Sequence, residues 1–307
     1  MINISKHIGE GFAGGELYDI LKQLQNMGVG IGGEVYYVDN NAGSDSSAAG
    51  GSWETPFKTL SYAITVSNAN IAASAHGWAS RNTILIKADA MCEDLTVFPA
   101  KCDVIGVGSC DAMNKTRIIG EHSDTGDGVI QSTGFYNLEF RNDDASAIFT
   151  VTSYSGLYFG DCIFTADADS VNAILTSGSC DNFTIKNCWF RNDEDGHDPF
   201  ATAAISIVGA CYNILIQNNI IEGDIGINID NAVAYNVVID NNVIKATTLC
   251  IDDESNLAVV TNNTMISAAD NGTLGLVFDG NDALACHNYI TGSTDTDAYP
   301  DVVNLGA

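Results

Sequence analysis

A short phrase, an apolar run that ends in a polar residue, returns seven times between residues 134 and 290. The copy from Ile214 to Ile221 contains the pair Asn218-Asn219 after its apolar run. Successive copies are 19, 26, 31, 23, 21 and 25 residues apart. Repeats of this length bury their apolar face only by stacking, so each copy predicts one turn of a solenoid. The polar anchors are Asn142, Asp161, Asn187, Asn218, Asn241, Asn262 and His287.

Each copy also alternates, as in Val237 and Ile239 against Val238 and Asp240. A period of two places one set of side chains inside a β structure. The recurring asparagine suits a bend between two strands, because it tolerates left-handed backbone geometry and can bond its own main chain. We therefore predict a structural asparagine ladder without catalytic function. Its predicted members are Asn142, Asn187, Asn218, Asn241 and Asn262.

The composition excludes several classes of protein. Hydrophobic residues make up 46% of the chain, which argues against disorder. A net charge of −27, from 39 acidic and 12 basic residues, repels phosphate backbones and anionic membranes, so we expect neither nucleic-acid nor membrane partners. No apolar run approaches the ~18 residues of a membrane span. The first residues lack the apolar stretch of an export signal, so we expect synthesis in a cytoplasm.

Nine cysteines are present, and aligning the repeats places Cys162 over Cys188 and Cys180 over Cys211. Stacked turns lie ~4.8 Å apart, which a disulfide could span. Side chains stacked in register rarely reach the required dihedral, so buried thiol stacks are favoured and disulfides are the alternative. Metal binding by cysteine is disfavoured, since no CxxC pair occurs.

Residues 1–33 lie outside the repeat. The stretch 16–27 has one apolar face and predicts a short amphipathic helix between glycine-rich segments. Either this helix folds back onto the solenoid or it attaches the protein to another subunit or assembly, which is the interpretation we favour. Its apolar face consists of Leu17, Ile20, Leu21 and Leu24.

A second helix is predicted over about residues 56–67, with Thr55 as N-cap and Pro56 at the first helical position. It follows a predicted strand at residues 34–39. A solenoid exposes its core at each end, so a helix at this place is expected to cap the first turn.

The opening of the repeat region resembles that of pectin-lyase-like right-handed parallel β-helix proteins. The resemblance rests on Tyr37-Val38-Asp39, the stretch from Thr55 to Leu60, and the strand phrases at residues 83–87, 102–108 and 116–120. It covers residues 34–295 and implies an all-β fold, a single-stranded right-handed parallel β-helix with an N-terminal capping helix. The expected organisation is an anchor segment at 1–33, the β-helix at 34–295 and a tail at 296–307.

The resemblance also implies where chemistry would lie, because enzymes of this superfamily use carboxylates, or a basic residue with calcium, on the outer face. The candidates in a long loop are Asp193, Glu194, Asp195, His197 and Asp198. Such carboxylates could act as acid and base or bind Ca²⁺, against the simpler interpretation of a solvated loop. Asp252 and Asp253 resemble the adjacent aspartates of polygalacturonases, but the companion Gly-His-Gly and Arg-Ile-Lys motifs are missing. No cofactor is predicted.

The superfamily includes lyases, hydrolases, phage tailspikes and structural virion proteins. We expect a non-enzymatic structural virion protein of a phage, a capsid decoration, fibre or tail component attached through residues 1–33. The resemblance also favours a homotrimer. The alternative is a tailspike-like protein that binds a bacterial surface polysaccharide, or cleaves it as a lyase or glycoside hydrolase. A secreted adhesin or surface-layer module is a third interpretation.

Overall fold

The computed structural model describes residues 33–74, 80–108, 115–124, 131–142, 145–166, 171–192, 200–230, 234–267, 276–278 and 284–291. The predicted anchor helix at 16–27 and the predicted tail at 296–307 lie outside the described residues. So does the acidic loop with Asp193, Glu194, Asp195, His197 and Asp198.

One helix and 23 strands make up the described regular structure. The first half of the chain contains β1 (Val35–Val38), α1 (Leu60–Ala73), β2 (Asn82–Lys87), β3 (Ala90–Cys92), β4 (Cys102–Val107), β5 (Thr116–Ile119), β6 (His122–Ser123), β7 (Gln131–Tyr136), β8 (Leu138–Asn142), β9 (Phe149–Gly160) and β10 (Ile163–Ala166). The second half contains β11 (Asn172–Asp181), β12 (Thr184–Lys186), β13 (Trp189–Asn192), β14 (Ala203–Ile207), β15 (Tyr212–Gln217), β16 (Ile220–Ile229), β17 (Tyr235–Asp240), β18 (Val243–Asp253), β19 (Asn256–Thr261), β20 (Thr264–Ser267), β21 (Leu276–Phe278), β22 (Leu284–Cys286) and β23 (Tyr289–Thr291).

The strands form a parallel solenoid of about seven turns, which confirms the predicted fold class. Sheet A stacks β1, β2, β4, β7, the end of β9, β12, β15, β17, β19 and β22. Sheet B stacks β3, β5, β8, β10, β13, the starts of β16 and β18, β20 and β23. Sheet C stacks β6, the start of β9, β11, β14, the ends of β16 and β18, and β21.

Inside the solenoid, side chains of the same kind stack on each other from turn to turn. The rings of Phe140, Phe164 and Phe190 occupy one position in three successive turns of sheet B and are nearly parallel, with Phe164 and Phe190 centroids 4.6 Å apart. The predicted alternation is confirmed in sheet A, where Val237 and Ile239 are fully buried. Each turn therefore buries its apolar residues against the next, and the column has one continuous core.

The capping helix starts later than predicted. Thr59, and not Thr55, is the N-cap, because its hydroxyl accepts a hydrogen bond from the Tyr62 amide at 3.2 Å. Pro56 is not helical, because the next residue, Phe57, pairs with Val38 of the first turn in an isolated parallel β-bridge. The carboxylate of Glu93 accepts bonds from the first helical amides, which completes the cap.

From Asn137 onward, the sharp bend from sheet A to sheet B holds one residue in the left-handed conformation in each turn of the solenoid. Asn187, Asn218, Asn241 and Asn262 have φ between 54° and 59°, and the row continues with Asp161 and His287. Asn142 does not belong to it. The row member in that turn is Asn137, with φ 54°, because β7 and the end of β9 place Tyr136 beside Gly160. Asn142 instead lies buried at the end of β8 and bonds Ser146.

The buried ladder lies one residue after the left-handed row. Its members are the buried Asn219, Asn242 and Asn263 and the half-buried Asn288, which pass amide hydrogen bonds of 2.9 to 3.1 Å from turn to turn. Each also donates to a main-chain carbonyl of the preceding turn, as Asn242 does to Ile216 at 3.0 Å. The exposed row is joined more sparsely, with Asn241 donating to Asn218 at 2.8 Å.

Cys162 and Cys188 occupy the ladder position in the two preceding turns. The Cys188 thiol donates to the Phe159 carbonyl, and the Cys188 amide donates to Asn219 Oδ1 at 2.8 Å. Both cysteines are buried free thiols, as are Cys180 and Cys211. The four thiols therefore pack within the core, as the favoured interpretation of the sequence predicts.

Candidate functional site

Asp252 and Asp253 point to opposite sides of β18. Ile251 and Asp253 are fully buried, whereas Asp252 between them is half-exposed on the outer surface. Asp253 Oδ1 accepts a bond from the Ser255 amide at 3.0 Å, and desolvation raises the pKa of its carboxyl group. The two carboxyl groups therefore do not face one substrate, which an acid–base pair requires.

An outward-facing carboxylate on sheet B is held by two arginines. Glu139 is 1% exposed, and its oxygens lie 3.0 Å from Arg117 Nη2 and 3.5 Å from Arg191 Nη2. The Thr165 hydroxyl donates to the same carboxylate at 3.1 Å. The Arg191 guanidinium also lies 5.0 Å from the ring centroid of Trp189. With its acceptor positions occupied, this group is suited to holding neighbouring turns together.

Two tyrosines form an aromatic surface on the outside of sheet A. Tyr136 and Tyr158 belong to successive turns, and their ring centroids are 5.1 Å apart at an angle of 30°. Gly134 lies beside Tyr158 and Gly160 beside Tyr136, so a glycine adjoins each ring across the strands. We call this surface, made by Tyr136 and Tyr158, the tyrosine platform.

A row of apolar side chains runs down the outside of sheet B. Trp189, Ile220 and Val243 are in register in three turns, and they are 38%, 47% and 43% exposed. Thr264 continues the row, and Tyr289 ends it at 65% exposed. We call these five residues the apolar row. The four steps of ~4.8 Å between its five turns give it a length of about 19 Å.

Within the described part of the chain, no group of three or more His, Cys, Asp or Glu side chains is arranged to hold a metal ion. No helix among these residues has both the length and the apolarity needed to cross a membrane.

The family of right-handed β-helix regions matches residues 125–294, more than half of the chain. The protein is a member of this family. Comparison with curated proteins finds no match. The match covers the whole repeat, which includes the apolar row and Tyr136 and Tyr158. A β-helix is a scaffold that supports both structural and enzymatic functions.

The sequence contains a signal for the tyrosine platform that its main repeat hides. One turn of this β-helix reads Gly134-Phe135-Tyr136 and the next reads Tyr158-Phe159-Gly160. The central phenylalanines stack in the core, while the outer positions exchange glycine and tyrosine. The sequence does not indicate the pairing of Glu139 with Arg117, because this pairing depends on the register of β5 and β8.

Proposed function

We propose that this β-helix protein is a non-enzymatic structural component of a phage particle, a capsid decoration, fibre or tail protein. It associates side by side as a homotrimer and is attached to the particle through residues 1–33. Its site of action is the virion, and its partners are other virion proteins.

The apolar row is the observation that carries this proposal. The alternating pattern of sheet B would allow polar residues at these outward positions, yet four of the five row members are apolar. Contiguous exposed apolar surface is typical of a protein–protein interface. A straight row on a rigid column matches another long, straight surface, such as that of a second copy of the chain.

The particle assignment is tested by mass spectrometry of purified phage particles from the source of this gene. We expect peptides of the protein in the particle fraction, in amounts that stay constant through repeated gradient purification. Recovery of the protein only in a secreted, particle-free fraction would overturn the assignment and favour a secreted adhesin or surface-layer module.

The attachment segment is tested separately. Deleting residues 1–30 removes none of the described strands, so the truncated protein should keep its far-ultraviolet circular dichroism spectrum and its melting temperature. It should also fail to bind particles that lack the protein. If the truncated protein binds such particles as well as the full chain does, attachment lies elsewhere.

A second candidate function is that of a glycan-binding or glycan-cleaving tailspike, and the tyrosine platform is the observation that favours it. Cleavage is tested by incubating the protein with host polysaccharide. Oligosaccharide release that is lost in Asp193→Ala or Asp252→Ala would establish an enzyme. Binding without release would leave a glycan receptor function.

A further inference from the structure

We propose that the tyrosine platform, Tyr136 and Tyr158 on the outer surface of sheet A, is a binding site for a neutral sugar unit of a glycan. This inference deepens the second candidate function and rests on it. It is independent of where the protein resides.

The glycines explain why the two rings lie along the sheet. A Cβ atom on Gly134 would meet Tyr136 Cε2 at 2.3 Å, so that ring occupies the space above its own strand. A Cβ atom on Gly160 would meet Tyr158 Cε1 at 2.5 Å and Tyr136 Cδ1 at 3.1 Å. Both rings therefore cover glycine backbone and form a continuous aromatic surface across two turns, which we call the floor of the site.

Polar groups border this floor on both sides. On the side of the preceding turns, Arg81, next to β2, donates from Nε to Asp103 Oδ2 of β4 at 2.7 Å and from Nη1 to the Ser132 carbonyl at 2.6 Å. In the turn after it, Thr184 stands beside Tyr158 and Lys186 beside Gly160, both half-exposed. From the turn of Asp103 to that of Lys186, the surface spans about 14 Å.

An aromatic floor with a polar border matches a ring that has one apolar face and hydroxyl groups around its edge. The floor offers stacking, and the border offers hydrogen bonds. Burial, followed by the charge of Asp103, raises the pKa of Tyr136 to about 12. Its hydroxyl is protonated at neutral pH, as an ordinary tyrosine hydroxyl also is, and can donate a bond. The net charge of −27 disfavours a polyanion, which leaves a neutral sugar.

A second tyrosine pair on the same sheet provides a control. Tyr212 and Tyr235 stack on each other at an interplanar angle of 5°, with their centroids 5.6 Å apart. Tyr212 is 43% exposed. These rings are available to solvent. They do not cover glycine backbone, however, and Arg81 and Asp103 do not border them. Replacing Tyr212 tests whether any exposed tyrosine suffices.

The probes are maltotriose, cellotriose, mannotriose and tri-N-acetylchitotriose, with trigalacturonate as the charged counterpart. Binding to the full chain is followed by saturation-transfer NMR and titration. We expect at least one neutral trisaccharide to bind. Tyr158→Ala should weaken that binding about tenfold, the size of one aromatic stacking contact. Gly160→Ala should weaken it too, because the new methyl group displaces both rings, and Tyr212→Ala should leave it unchanged.

The site is overturned if none of the neutral trisaccharides binds the wild-type protein. It is also overturned if the affinity is unaltered in both Tyr158→Ala and Gly160→Ala, or falls equally in Tyr212→Ala. Melting temperatures of all variants separate lost binding from lost folding. A protein that is present in particles and binds none of these sugars would exclude the site while leaving the structural function intact.

Discussion

His122 illustrates how the aromatic interior treats a titratable side chain. Its ring is 1% exposed and packs against Phe140 and Phe149, with centroid distances of 5.5 and 4.8 Å. Nδ1 accepts a hydrogen bond from the Leu95 amide at 3.3 Å. Desolvation lowers the pKa of His122 to about 3, so the imidazole is neutral in the folded protein at neutral pH.

The β-helix should therefore lose stability as the pH falls. Between the ordinary histidine pKa of 6.5 and the folded value of about 3, the unfolded chain binds a proton that the folded chain does not. His122 alone then removes about 2 kcal/mol of unfolding free energy at pH 5. Urea denaturation at pH 7 and pH 5 measures this loss.

His122→Gln is the matched variant, because its side-chain oxygen can still accept from Leu95 and does not titrate. Its stability should change less between pH 7 and pH 5 than that of the wild type. Equal pH dependence in both proteins would show that His122 is not a source of the acid sensitivity.

Sequence reasoning at the residue scale found the bend and all of its predicted members except Asn142, but it missed the buried ladder. The left-handed asparagines were predictable, because asparagine is the common non-glycine residue in that conformation. The buried ladder was not predictable, because the sequence does not distinguish between two adjacent asparagines in one copy, such as Asn241 and Asn242. Only the fold shows that Asn241 faces solvent and that Asn242 enters the core.

At the scale of the turn, the ladder supplies polar contacts within a largely apolar interior. Asn242 Oδ1 accepts bonds from both the amide and the side chain of Asn219, and its Nδ2 donates to Ile216 and Asn263. Asn242→Ala leaves these buried partners unsatisfied. We expect a loss of about 3 kcal/mol in unfolding free energy, measured by urea denaturation.

Lys245→Ala, on the exposed side of β18, is the control and should change the stability by less than about 0.5 kcal/mol. If Asn242→Ala were as mild as this control, the ladder would contribute little to stability.

A second left-handed row precedes the inward residues of sheet A and contains one misfit. Asn182, Asn213 and Asn236 have φ between 56° and 59°, and their side chains bond each other from turn to turn. Leu257 follows with φ 62° and is 47% exposed. Leucine disfavours this conformation and adds nothing to the bonded row.

Leu257→Asn should therefore stabilise the protein by roughly 1 kcal/mol, which calorimetry would record as a higher melting temperature. Leu257→Ala is the matched control, since alanine removes the exposed side chain and keeps the unfavourable backbone conformation. An equal gain in both variants would assign the effect to lost apolar exposure instead of to the backbone.

The boundaries of strands and helices were predictable where they depend on local sequence and not where they depend on contacts between distant residues. Strands with clear alternation, such as β2 and β17, were predictable because their period is a local property. The start of α1 was not, because it depends on Glu93 and on the bridge between Phe57 and Val38, which are contacts between distant residues.

At the scale of the whole molecule, the repeat period was sufficient to predict a parallel solenoid, because stacking is the one way for such copies to share a core. The same stacking gives no information about function, because packing alone explains the repeated phrase, which is the strongest pattern in the chain. Both the apolar row and the tyrosine platform lie on the outside, where side chains do not affect whether the column folds. Their composition became meaningful only when the register placed residues from separate turns side by side.

The most direct test of the proposed structural function is the molar mass of the full-length protein in solution, measured by light scattering after size exclusion. The wild type should have three times the 32.4 kDa of one chain. Val243→Glu, which places a charge in the middle of the apolar row, should shift it to the mass of one chain, while Val107→Glu, at another exposed valine, should not. A wild-type mass of 32.4 kDa, or a trimer unaffected by Val243→Glu, would contradict assembly through this row.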